Sequence, residues 1–453
     1  MEKARLIEIL SDWNFWDKEI TTGIERKTYI EKVNNALKSG QVATIVGARR
    51  SGKSTIMKQY LKEIVKNGVN KKNTLFVNFE DPRFGADLSI ELLQQIYEVY
   101  IEFLEPDGKP YVFLDEVQHI KGWEKFVRSL HERDAAYSIV SGSSSKLLSE
   151  EFGTALTGRH ITIQVFPLSF DEFLKFKGIE IKTNLDMISH RHAIQRFLRE
   201  YMGFGAFPKV VLSEEKSSML RDYYDDILSK DVIVKHGIKS HEKLMALSKF
   251  YITNISSPVS FNSIKGFLDI PLHTIERFSY YLSYSYLFFF VKKHAFSLKE
   301  QEKNPRKVYC IDAGLRNAIS FRVSEDMGKI AENIVFLELT RRGEEVYYWK
   351  NGRQRETDFV IRKGMKILQA IQVCWSLDDE KTKKREIEGV MEAMREFELE
   401  KGFVITEDFD GEEMVEGRRI IYMSLWKWLL ERDAREFQGE ERHITGWIAR
   451  DGD

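Results

Sequence analysis

The run VGARRSGKST, Val46 to Thr55, places two glycines and a lysine at the spacing G-x-x-x-x-G-K-[ST]. That spacing suits a phosphate. Gly47 and Gly52 let the chain bend so that the N–H groups of Ala48, Arg49, Arg50, Ser51 and their neighbours up to Thr55 turn inward on phosphate oxygens. Lys53 then reaches the β- and γ-phosphates, and Ser54 offers its hydroxyl to Mg²⁺. The preceding VATIV reads as a buried strand. The following TIMKQYLKEIVKNG carries Ile56, Met57, Tyr60, Leu61 and Ile64 at helical spacing up to Gly68. The loop therefore opens a helix whose N-terminal dipole favours anions. A basic turn in an ordinary strand-turn-helix is the bland alternative, and the flanking elements count against it.

Hydrolysis needs further parts, and about sixty residues on KPYVFLDEVQHI supplies two carboxylates. Tyr111 to Leu114 form a short buried strand ending in Asp115 and Glu116. Carboxylates at the C-terminal end of a parallel strand lie where such sheets bind ligands. Asp115 is a partner for Mg²⁺ and its water shell, and Glu116 a base for the attacking water. A third strand, AAYSIVSGSSS, ends in Ser141 and Ser143, which are either sensors of the γ-phosphate or turn formers. In the Gly-Arg turn of EFGTALTGRHITIQV, Arg159 can neutralise transition-state charge, in cis or from a neighbouring subunit, or simply be structural. Glu80, after the strand TLFVNF, either orients a water or pairs with an arginine.

These parts must be carried by something large. A chain of 453 residues, 43% of them hydrophobic, has room for about three domains with real cores. A formal net charge of −1 argues against a globally basic nucleic-acid coat. Cys310 and Cys374 are too few for a cysteine-rich metal site and fit a reducing compartment. Neither a signal-peptide pattern nor an apolar run of membrane-spanning length is legible, so a cytoplasmic protein without a membrane partner is expected. The pattern divides into an α/β module over 1–167 and a helical extension over 168–240. Three helices and a hairpin follow over 241–318, the pattern of a winged helix-turn-helix. A small α/β domain over 319–430 and a charged tail over 431–453, with Trp447 as its large anchor, complete the chain.

Nearly the whole chain resembles a known family. The segments GARRSGKST, FLDEVQHIKGWEKF, SGSSSKLL, LTGRHITIQVFPLSFDEFL, GFGAFPKVV, LSKDVIVKHGI, KVYCIDAGLRNA and ETDFVI look like those of archaeal-type AAA-like P-loop ATPases related to the STAND group. That resemblance implies an α/β fold. It would comprise a P-loop NTPase parallel sheet, a helical extension, a winged helix-turn-helix and a small C-terminal nuclease-like domain of the PD-(D/E)xK kind. It also implies nucleotide-binding roles for Lys53, Ser54, Asp115 and Glu116, a sensor near Ser141 to Ser143, and a functional Arg159. ATP with Mg²⁺ is the expected cofactor, and nothing resembles a guanine-reading Asn-Lys-x-Asp motif.

Three functions are open: an ATPase switch, a nucleotide-controlled DNA-binding regulator, and an ATP-fuelled nuclease. DNA contact would run through residues 271–307, where Lys292, Lys293, Lys299, Lys303, Arg306 and Lys307 outnumber Glu300 and Glu302. A trans-acting Arg159 would require a homo-oligomer. For the nuclease, Asp358 matches the first metal position, with Glu332 as a further ligand. On the next strand Gln372 stands where the carboxylate should be and Cys374 where the lysine should be. The expectation is a nuclease fold without cleavage, with Asp358 paired to Arg353, Arg355 or Arg362.

Overall fold

A computed structural model describes residues 2–19, 21–85, 88–143, 156, 158–320 and 327–431. The charged tail with Trp447 and most of SGSSSKLL lie outside the described residues.

Strands β1 (Val42–Val46), β2 (Thr74–Asn78), β3 (Tyr111–Asp115), β4 (Tyr137–Gly142) and β5 (His160–Gln164) form one sheet in the order β2-β3-β4-β1-β5. All its pairings are parallel. Such a sheet is covered on both faces, so its strands read as continuous apolar runs. The period-2 alternation of β1 sends Val42 and Val46 into one core and Ala43 and Ile45 into another. The register sets Val46 beside Gly142 and Asn78 beside Asp115, so the C-terminal ends of β1, β3 and β4 meet at one edge. The helices Lys3–Trp13 and Lys27–Lys38 precede β1.

The extension is helical, as its pattern predicts. A capping box of Ser169 and Glu172 starts the helix Phe170–Phe176. Further on, the helix Lys216–Asp226 continues into a π-helical stretch, Ile227–Val234. GFGAFPKVV and KVYCIDAGLRNA pack on each other. A Cβ on Gly205 would stand 1.9 Å from Asp312 Oδ1, and one on Gly314 would stand 2.2 Å from the Phe204 carbonyl oxygen. Glycine is required there by contact distance.

The next unit has the helices His241–Thr253, Phe261–Leu268 and Leu272–Tyr284. Its sheet has one strand more than expected. β6 (Ser257–Val259) joins β7 (Phe288–Val291) and β8 (Arg306–Cys310) in the antiparallel order β6-β8-β7. Three residues around Pro258 carry too little pattern to read, and the proline is tolerated because β6 is an edge. The charged segment between β7 and β8 also forms a short helix, Leu298–Lys303.

The last unit is α/β with a mixed six-stranded sheet, β13-β14-β12-β11-β10-β9. Its strands are β9 (Glu345–Lys350), β10 (Glu356–Lys363), β11 (Lys366–Val373), β12 (Lys401–Thr406), β13 (Gly411–Val415) and β14 (Arg418–Ser424). Its helices are Met327–Arg341, Glu380–Glu396 and Leu425–Leu430. Both cysteines are buried free thiols. Among the described residues no helix is long and apolar enough to cross a membrane.

Candidate functional site

The loop after β1 is shaped by backbone that only certain residues accept. Gly47 has φ +150°, and a Cβ there would lie 2.2 Å from the Val165 carbonyl oxygen. Gly52, at φ 101°, stands at the N-cap of the helix Lys53–Lys66. Between them Arg50 is held at φ 69°, an uncommon left-handed conformation for a side-chain-bearing residue. Lys53 is buried and turns its ammonium back on the loop, donating to the carbonyls of Gly47 at 3.2 Å and Ala48 at 3.3 Å. Ser51 keeps a buried hydroxyl without a hydrogen-bond partner.

The loop is braced from behind by Arg26, which the sequence reading missed. Its Nη1 donates to the Ser51 carbonyl at 2.9 Å, and its Nε and Nη2 grip Glu172 at 2.9 and 2.7 Å. The capping box could have marked Glu172. Nothing in the local pattern marks Arg26, whose partners Ser51 and Glu172 lie 25 and 146 residues away.

At the end of β3, Asp115 is fully buried, and its Oδ2 lacks a well-formed hydrogen bond. Burial first and the Glu116 charge second push its carboxyl up to about 6, against the Ser141 and Ser54 hydroxyls and the Lys53 charge. Glu116 occupies the left-handed region at φ 55°. Its Oε1 lies 3.7 Å from Lys53 Nζ, and Gln118 donates to its Oε2 at 2.5 Å. Burial opposes its charge, but Lys53, Gln118 and Arg49 outweigh burial and hold the carboxyl below its ordinary value. Ser141 braces this pair: its hydroxyl donates to Asp115 Oδ1 and accepts the Glu116 N–H at 3.1 Å. Ser143 donates instead to Asp231 Oδ1 at 3.2 Å.

The two loop arginines are both engaged. Arg49 reaches Asp231 with Nε at 3.1 Å and Nη2 at 3.2 Å, and Glu80 with Nη1 at 3.1 Å. Arg50 meets Asp226 at 3.3 Å and lies over the Tyr223 ring. Glu80 thus takes the arginine-pairing role. It also stands with Glu116 and His119 in a cluster whose ligand atoms lie within 4.8 Å of one another. Ser54 is partly buried and Thr55 exposed at the start of the helix.

Arg159 is not brought to this edge. It precedes β5, whose His160 pairs with Val42 at the start of β1, so it lies at the opposite end of the sheet. There its Nη2 meets Glu132 at 3.2 Å. A role in cis has no geometric support; only a second copy could bring this arginine to the loop.

A second buried polar cluster lies in the C-terminal unit, and its cation comes from another unit. Lys307, on β8, extends into the end of β10. Its Nζ lies 2.7 Å from Asp358, 2.9 Å from Glu356 and 3.1 Å from Glu332. Tyr309 donates to Glu332 at 2.7 Å. Gln372 accepts the Asp358 N–H at 3.0 Å and donates to Glu386 at 2.6 Å. Asp358 is therefore not the partner of Arg353, Arg355 or Arg362: Arg355 pairs with Glu388 and Arg362 with Glu345. Proximity in sequence misled there, because β10 alternates and sends Asp358 inward. The segment between β7 and β8 is less basic in effect than in composition, since Lys292, Lys293 and Arg306 are paired with Glu302, Glu300 and Glu302.

Residues 39–174 match a family described as AAA domain, a P-loop ATPase module. Residues 195–326 and 327–426 match two families described as domains of unknown function, DUF8612 and DUF4143. The chain is 32% identical over 426 residues to Uncharacterized protein MJ1544 of Methanocaldococcus jannaschii, covering 90% of this chain and 91% of that one. It is 28% identical over 410 residues to an uncharacterized protein of Haemophilus influenzae, covering 89% and 98%. Among solved structures it is similar to the Aeropyrum pernix ORC1 protein in complex with DNA. That likeness has a TM-score of 0.32 at 12% identity and covers 65% of this chain and 92% of that chain.

Proposed function

The chain belongs to the family of protein MJ1544, with an AAA-type P-loop ATPase module, and from that premise we propose that it is a Mg²⁺-dependent ATP-binding and ATP-hydrolysing conformational switch. One observation carries the reading: Asp115, fully buried at the C-terminal edge of a parallel sheet, keeps Oδ2 without a full hydrogen bond beside Lys53, Ser54 and Glu116. Leaving a buried carboxylate oxygen unsatisfied is costly unless something else occupies that position. A hard divalent cation suits this oxygen and the Ser54 hydroxyl. When bound with nucleotide, Mg²⁺ supplies neutralisation of charge on the phosphate oxygens.

The protein's own residues do the rest. Gly47 to Thr55 present backbone N–H groups, and Lys53 exchanges the loop carbonyls for phosphate oxygens. Glu116, held ionised, takes the proton of the attacking water. Ser141 fixes the Asp115 carboxylate and the Glu116 backbone. The test is release of phosphate from MgATP by the full chain. Turnover that stops on chelating Mg²⁺ is expected, and an absence of binding and turnover would sink the reading.

The three helices with β6-β8-β7 are best read as a winged helix-turn-helix. With Lys292, Lys293 and Arg306 paired and Lys307 buried, DNA contact through 271–307 rests on the exposed Arg277, Lys299 and Lys303. Three cations support weak, salt-sensitive binding only. The C-terminal unit is read as nuclease-like without cleavage, because the Lys307 ammonium already stands among the carboxylates that would hold metal.

A further inference from the structure

The nucleotide reading leaves one buried acid at the loop without a role. Asp231 is 5% exposed, comes from the helical extension, and accepts from two groups that face the phosphate loop at once: Arg49 from the loop itself and Ser143 from the end of β4. An arginine that paired with a carboxylate only to hold two domains together would need no place between the two loop glycines. Here the loop's own guanidinium is bound in a fork by an acid 182 residues away. The donors that Asp231 occupies are those a terminal phosphate would use, since guanidinium and hydroxyl groups donate to any oxyanion.

The local backbone explains how one helix presents two acids to neighbouring arginines. Asp226 and Asp231 are five residues apart, which in an α-helix sets them well apart around the axis. The π-helical stretch Ile227–Val234 widens the turn, with hydrogen bonds five residues apart, and brings them toward one side. Asp226 then meets Arg50 and Asp231 meets Arg49. π-Turns are rare, and they recur where function requires the geometry. Just beyond this stretch the ring of His236 stacks on Tyr281 of the helix Leu272–Tyr284, with centroids 3.8 Å apart. This stack joins the end of the π-helical stretch to the three-helix unit.

We propose that Asp231 is a positioning residue that stands in for the terminal phosphate: it competes with the triphosphate for Arg49 and Ser143, so that triphosphate, and not diphosphate, frees the Lys216–Val234 segment from the loop. The proposal rests on the nucleotide reading given above. It makes Asp231 a determinant of the preference between the two nucleotides and the link between nucleotide state and the neighbouring unit.

The experiment measures binding of fluorescent ADP and of a non-hydrolysable ATP analogue, with Mg²⁺, to the full wild-type chain and to Asp231→Asn. The amide keeps the shape and removes the charge. Triphosphate affinity should rise about tenfold, the size of one charge-assisted hydrogen bond, while diphosphate affinity changes less than about twofold. An unchanged ratio, or equal weakening of both, overturns the proposal. Hydrogen exchange on wild type needs no variant: residues 216–234 should lose protection with the triphosphate analogue and keep it with ADP. Equal protection in the two states also overturns it. If the wild-type chain binds neither nucleotide, the underlying reading has failed; if it binds both and these differences are absent, Asp231 alone has been misassigned.

Discussion

Two buried clusters in this molecule pair a lysine with carboxylates at the end of a strand, and they are finished to different degrees. At the phosphate loop, Lys53 donates to carbonyls of its own loop, and Asp115 keeps an oxygen without a full hydrogen bond. In the C-terminal unit, Lys307 contacts Asp358, Glu356 and Glu332, and Tyr309 and Gln372 complete the arrangement. Among the described residues no side-chain atom of this second cluster is buried without a partner. The first cluster is poised for an incoming anion and cation. The second has its cation built in and acts as a joint between β8 and the C-terminal sheet. On the proposed nucleotide reading, similar residue types serve binding in one place and architecture in the other, and the difference lies in which polar atoms are left over.

Substitution of the two lysines should separate these roles. Lys307→Met leaves buried carboxylates uncompensated and should cost about 3–5 kcal/mol in denaturant unfolding. A loss below about 1 kcal/mol would mean that the cluster is not a joint. Lys53→Ala removes a buried ammonium that donates to two loop carbonyls and lies 3.7 Å from Glu116. It should cost less in unfolding than Lys307→Met, which strips the cation from three carboxyls, and weaken MgATP binding at least about 100-fold, or about 2.7 kcal/mol. Denaturant unfolding and titration calorimetry on the pair check both, and a Lys53 variant that lost as much stability as the Lys307 variant but kept nucleotide would collapse the distinction.

A smaller effect concerns pH. Burial, then the Asp358 charge, push the Glu332 carboxyl from its ordinary 4.5 up to about 8. A carboxyl raised on folding contributes stability that is present below pH 4.5 and is lost as pH rises toward 8. Thermal melts of wild type should therefore fall across that window, and Glu332→Gln should flatten the fall. Asp115, raised to about 6, keeps part of the slope in the variant, so a slope no shallower than wild type would place its origin away from Glu332.

Much of this was legible in the sequence, and the failures share a cause. Gly47, Gly52, Lys53 and the Asp115-Glu116 pair could be read because their chemistry demands short spacings next to strongly patterned strands. Four of the five strands of the parallel sheet were read from those same runs, and β5 was not. Arg26, Asp231 and Lys307 could not be read, because each acts on residues brought near only by the tertiary fold. Lys307 in particular looked like one more basic residue of a hairpin. The edge strand β6 was too short, and β13 too polar, to carry a pattern. Arg159 shows the converse case: the Gly-Arg turn left a role in cis open, and parallel pairing of β5 with β1 puts it at the far end of the sheet within one chain, which local sequence does not reveal.

Whether Glu116 and its neighbours form a working hydrolytic site is decided by Glu116→Gln. The amide keeps the size of the side chain and one acceptor oxygen, and removes the base. With MgATP, binding should stay within about threefold of wild type and turnover should fall about 100-fold or more, a loss of at least about 2.7 kcal/mol of barrier stabilisation. Turnover equal to wild type in Glu116→Gln would contradict a hydrolytic site there.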